Sequence, residues 1–103
     1  MTKNFHLFRT LKTGMYGEDV RKLQHWLNIV NSYYGFSNTY ASGIAENGRF
    51  STFWLTGYLH EYLEWSGYPI NHIYDDEIHK YLCTDVNLAL QQLGDTSVTW
   101  TAN

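Results

Sequence analysis

The stretch from Gly14 to Asn28, GMYGEDVRKLQHWLN, constrains this chain more than any other. Two glycines close a turn, and Glu18 and Asp19 place negative charge where a helix should begin. Val20, Leu23, Leu27 and Val30 then recur at spacings of three, four and three, an apolar stripe on the helical period. This predicts a helix from about Glu18 to Asn31 or Ser32, with a face that later parts of the chain must cover. Trp26 lies beside the stripe and reads as a packing residue. Arg21, Lys22, Gln24, His25 and Asn28 fall mostly off it and read as facing water.

Upstream, residues 4–11 (NFHLFRTL) are apolar-rich but of mixed periodicity, and read as an arm laid over the core with room for one helical turn. Downstream, residues 33–49 form a long connection rich in glycine, serine and asparagine, interleaved with Tyr33, Tyr34, Phe36 and Tyr40. A loop of that length in a small domain either folds onto itself or serves a function. A second helix is predicted from Ser51 or Thr52 to Trp65, stopped by Ser66-Gly67 with Pro69 beyond. Gly57 in its interior costs about 1 kcal/mol relative to alanine, which a close approach by a neighbouring helix would explain. Asp75 or Asp76 can cap a third helical stretch running towards Gly94. Either one helix runs from about 76 to 93, or it breaks near Thr84-Asp85, a fair N-cap for a fourth, and the capping preference of these two residues tips the reading towards the break. In the tail, Val98 and Trp100 alternate, which predicts a short extended segment packed by one tryptophan.

A chain of 103 residues makes one domain. Its net charge of −3 argues against electrostatic nucleic-acid binding. Nine tyrosines and four tryptophans exceed what so small a core needs, so several rings should reach the surface, to meet sugar rings or a partner protein. Cys83 is the only cysteine, so no intrachain disulfide forms, and beside Leu82 it reads as a core residue. Met1–Thr13 has no continuous apolar signal-peptide core, and no apolar run reaches membrane-spanning length, so membrane insertion is not expected. Action outside the cell would then require release by lysis or attachment to a longer chain.

Nothing in the residues asks for catalysis or a cofactor. The five histidines form no HExxH pattern, and His60-Glu61 fails it because Glu64 stands where the second histidine should be. His72 and His79, with Asp75 or Asp76, read as solvent-facing polar residues around a cap. Glu61 and Glu64 read as a solvated helix face rather than an acid–base pair. No serine sits in a nucleophile elbow, and no glycine loop has a phosphate-binding pattern.

These motifs together resemble the peptidoglycan-binding domain found in cell-wall hydrolases and phage lysis proteins. That family opens with a leucine and a GxxGxDVxxLQxxLN run, here Leu11, Gly14, Gly17, Asp19, Val20, Leu23, Gln24, Leu27 and Asn28. Its central DGxFG turn resembles Asn47, Gly48 and Phe50, with Ser51 where glycine is usual. Its closing GLPVDGIVGPxTWxxL run resembles residues 67–82, with Asn71-His72 in place of Asp-Gly and Asp75-Asp76 in place of Gly-Pro. The loop at 33–49 is longer than usual, and Tyr58-Leu59 replaces a small apolar pair.

The resemblance covers about 11–82. It implies an all-α, closed three-helix bundle over residues 1–82, counting the N-terminal arm. Residues 83–103 are then an extension of short helix and extended tail packed on the same domain. It implies a non-catalytic module that binds peptidoglycan, with its site near the turns at 14–17, 47–51 and 71–75. The candidate ligand-binding residues are Tyr16, Tyr40, Asn47, Arg49, Trp54, Asn71 and Tyr74. The expected partners are peptidoglycan glycan or stem peptide, with an attached hydrolase or a second copy adding avidity. Localisation would be extracellular or at the cell wall after release. The alternative is a protein-interaction or assembly module on the same scaffold, acting in the cytoplasm.

Overall fold

In the computed structural model, which describes all 103 residues, the apolar stripe becomes the inner face of helix α1 (Glu18–Tyr34). Val20, Leu23, Leu27 and Val30 are buried there, and Trp26 packs with them. The helix outlasts the predicted end at Asn31 or Ser32. Gly35 stops it by taking the left-handed conformation (φ 63°) and returning its N–H to the Asn31 carbonyl. Two further helices follow, α2 (Trp54–Ser66) and α3 (Asp76–Gln92).

The fold is mostly helical, but it departs from an all-α closed bundle in two ways. First, helix α1 packs closely on α3 and more lightly on α2, whereas α2 and α3 stand apart. Rings bridge the gap: buried Tyr62 on α2 reaches Asp85 on α3 with its hydroxyl at 2.5 Å, and Tyr68, packed on Tyr62, stacks on Tyr81 of α3. Second, the chain ends form a sheet. Strand β1 (Thr2–Asn4) runs parallel to β2 (Thr99–Thr101), with Lys3 opposite Trp100. Thr99 N–H donates to the Met1 carbonyl, and Phe5 N–H to the Thr101 carbonyl, each at 2.9 Å. The arm contains no helical turn. It lies extended over the core through buried Phe5, Leu7 and Leu11, and Leu11 exchanges two backbone hydrogen bonds with Tyr74.

The predicted break at Thr84-Asp85 is absent, and α3 runs uninterrupted through residues 82 and 83. Both side chains that could have capped a new helix are engaged otherwise. Thr84 Oγ1 donates back to the Lys80 carbonyl, and Asp85 accepts from Tyr62 and Tyr68. The true cap is Asp75, whose carboxylate accepts from Ile78 N–H at 3.1 Å. Helix α2 begins later than predicted, because Ser51–Phe53 form a turn in which Ser51 Oγ accepts from Leu55 N–H. Gly57 faces no neighbouring helix. A Cβ there would lie 3.0 Å from the hydroxyl of Tyr40, so the loop side chain is what needs the space.

Candidate functional site

Three of the predicted residues converge where two turns meet. The turn 14–17 and the segment 47–51 pair as a short antiparallel bridge: Gly17 N–H donates to Gly48 O, Gly14 N–H to Phe50 O, and Phe50 N–H to Met15 O, all at 2.9 Å. The platform is anchored from beneath by Gln24, which is buried on α1. Its Nε2 donates to Asn47 Oδ1 and to the Arg49 carbonyl, while its Oε1 accepts from Gly48 N–H. From the other side, Arg9 grips Asp19 through two hydrogen bonds and donates a third to the Tyr16 carbonyl. The hydrogen bonding of Arg9 to the Asp19 carboxylate holds that carboxyl below its ordinary pKa, and Arg21 does the same to Glu18.

An open cavity of about 800 Å³ lies between the turns, lined by Tyr16, Arg21, Asn47, Arg49, Ser51 and Thr52 among others. Tyr16 is 77% exposed, and Arg49 is held only through its backbone, so a ring and a guanidinium stand free on a rigid base.

Tyr40 and Trp54 form a second cluster that does not line this cavity. Their ring centroids are 5.7 Å apart, and the Tyr40 hydroxyl donates to the Phe53 carbonyl at 2.7 Å. Tyr40 is half-buried, whereas Phe53 is 78% and Trp54 62% exposed. The patch begins one residue after Thr52, where the cavity lining ends, and the Thr13–Thr56 hydroxyl contact at 2.7 Å ties α2 to the first turn. Asn71 is exposed in the turn before α3, where its Oδ1 accepts from Ile73 N–H, and it lines neither feature.

Tyr74 is a correction. It is 0% exposed and so has no surface to offer a ligand. Its backbone is paired to Leu11, its hydroxyl meets His79 Nδ1 at 2.6 Å, and burial raises its pKa well above the ordinary value. His79 is a second correction, since it is 2% exposed and stacks on Trp26 (centroids 5.0 Å, 11° between planes). His72 meets His60 instead, at 3.2 Å between ring nitrogens. Glu61 and Glu64 do not make a common solvated face. Glu61 accepts from Ser37 and Thr39, whereas Glu64 stands 3.8 Å from His60. No group of three or more His, Cys, Asp or Glu side chains is placed to hold a metal ion, and no helix is long and apolar enough to cross a membrane.

Gln24 and Asn28, expected to face water, have structural work to do. With Asn31 they form a row of amides at spacings of four and three, flanking the apolar stripe. Asn28 bonds the backbone of Ile44 in both directions, and Asn31 bonds Ser37 and Tyr40. The long loop is thus folded onto α1 by side-chain amides that mimic a backbone partner. The signal was present in the sequence as a second helical row, and only its polarity disguised it.

Comparison with known proteins finds no family model, no curated protein and no solved structure that matches this chain.

Proposed function

We propose that this protein is a non-catalytic cell-wall-binding module whose groove between the 14–17 and 47–51 turns contacts peptidoglycan. The observation that carries this reading is the convergence of Tyr16, Asn47 and Arg49 on one open cavity, at turns that resemble those of the peptidoglycan-binding family. A flat, exposed tyrosine ring suits a sugar face, while a free guanidinium and an amide suit its hydroxyl and acetamido edges. A single groove of this size gives weak binding, so an attached hydrolase or a second copy would supply avidity at the wall.

The test is retention of the purified protein on intact sacculi. Tyr16→Ala and Arg49→Ala should each weaken retention about tenfold, the effect of losing one well-made polar or stacking contact. Trp54→Ala measures whether the neighbouring patch takes part. Folded variants that bind as well as wild type would remove the groove from the reading.

The exposed Phe53-Trp54 pair favours a second reading, a protein-interaction module. A defined dimer in sedimentation that Trp54→Ala dissolves, with no retention of wild type on sacculi, would select it.

A further inference from the structure

A second cavity, of about 430 Å³, opens on the outer side of α1 next to the chain-end sheet. Lys3, Arg21 and Lys22 line it together with His25, so three of the seven lysines and arginines of an acidic chain converge there. Neither lysine forms an ion pair. Lys3 Nζ stands over the Trp100 ring at 5.6 Å, and Lys22 Nζ over the Phe5 ring at 5.8 Å. Arg21 commits Nε and Nη2 to Glu18, and no hydrogen bond engages its Nη1.

The remaining lining adds donors. Asn4 accepts from Thr101 Oγ1 through Oδ1, which leaves its Nδ2 to donate. Trp100 Nε1 makes no hydrogen bond and keeps contact with solvent, since the only fully buried unpartnered side-chain polar atom is Trp26 Nε1. Glu46 is the one carboxylate in the lining, and its two oxygens already accept from His25 and Asn28. The cavity therefore presents two unpaired lysines and several N–H donors against one carboxylate, Glu46, already bonded at both oxygens, and the ring nitrogen His25 Nε2, an excess of cations and donors that suits an oxyanion.

Arg21 lines this cavity and the Tyr16–Arg49 groove alike, so the two share a wall. We propose that the cavity is an oxyanion subsite that takes a carboxylate of the stem peptide while the glycan lies in the groove. The identity of the ligand rests on the wall-binding reading above, whereas the oxyanion chemistry of the subsite does not. Lys3 and Trp100 are register partners across β1 and β2, so the subsite exists only while the two chain ends are paired.

A proton–nitrogen NMR titration of the whole chain tests this, read at the Trp100 indole N–H and the Lys3 and Lys22 amides. The probes are a stem tripeptide with free carboxylates, the same peptide with its carboxylates amidated, and inorganic phosphate. The free-acid peptide should shift these signals and the amidated peptide should not. Lys3→Gln and Lys22→Gln should each weaken the response about tenfold, as expected for one charge-assisted contact, while Lys80→Gln on the outer face of α3 should not. Dispersed spectra of the variants establish that they are folded.

A response to phosphate alone would keep the oxyanion site and overturn the peptide carboxylate as its source. Silence towards all three probes at millimolar concentration would overturn the subsite. Sacculus retention is measured in parallel. Retention with a silent cavity leaves the wall reading standing without the subsite. A responsive cavity with no retention keeps the subsite and sinks the wall reading.

Discussion

His79 joins three parts of the chain through one neutral imidazole. Its Nε2 faces the carbonyls of Phe5 at 2.7 Å and Ala102 at 3.2 Å, so that nitrogen carries the proton. Its Nδ1 accordingly accepts from the Tyr74 hydroxyl. Burial pushes the pKa of His79 down, against the opposing pull of the two carbonyls and of Asp76 and with a smaller contribution from His6. The unfolded chain therefore takes up this proton at a higher pH, near 6.5, than the folded one. The contribution of His79 to stability is fully present above that value and is lost as pH falls through the folded pKa. His79→Gln should cost about 1–3 kcal/mol at neutral pH, because one buried partner is left unpaired. It should also lose less stability than wild type between about pH 7 and 5. Urea unfolding at the two pH values decides this, and equal losses would clear His79 of the acid effect. From the sequence His79 reads as solvent-facing, although it stands three and seven residues before Leu82 and Val86 on one helical face, a spacing that fits its burial. Its partners were not readable, because Phe5 lies 74 positions away.

At the level of elements, the groove depends on two turns held together by backbone contacts rather than by side-chain packing. Gly48 sits at φ 75°, and a Cβ there would lie 2.9 Å from the Gly17 carbonyl oxygen. Gly35 is also left-handed (φ 63°) but has nothing within 4 Å of such a Cβ. Gly35→Ala should therefore cost about 1 kcal/mol, from backbone strain alone. Gly48→Ala should cost more, about 2–3 kcal/mol, and should push the 14–17 turn away from Arg49. Thermal melts rank the two variants, and amide shifts at Met15–Gly17 report the displacement. Equal cost with an undisturbed turn would mean that the bridge does not hold the groove. The Gly-x-x-Gly and Asn-Gly signals placed both turns in the sequence. That the turns pair with each other over buried Gln24 follows from how α1 presents that side chain.

The molecule as a whole is closed by its own ends. Trp100, 8% exposed, packs edge-on to Trp26 at 5.5 Å, and its carbonyl and N–H are both bonded by the Asn87 side chain on α3. Trp100→Ala should cost about 3–5 kcal/mol, the range for removing a large buried ring. It should also speed hydrogen exchange at the Phe5 and Thr99 amides, which bond across the sheet, before it affects α1. Exchange that accelerates equally in α1 would mean that the ends and the helices open as one unit.

By itself the sequence determined the helical stretches to within a few residues and the turns between them, but not the last turn of α1, the start of α2 or the continuity of α3, because periodicity, caps and glycine signals act only within a few residues. It also marked Trp26 and Cys83 as core, since both lie on or beside apolar helical rows. Only the tertiary structure decided the rest. Thr2–Asn4 and Thr99–Thr101 are short and largely polar, and nothing local shows that segments 97 positions apart will pair. Thr84 and Asp85 carry a local preference for capping, which their contacts on α3 and across to α2 override. Tyr74 resembled a surface turn residue, and became core when Leu11 paired with it and His79 took its hydroxyl. Both cavities arise in the same way, at contacts between segments that are distant in the chain.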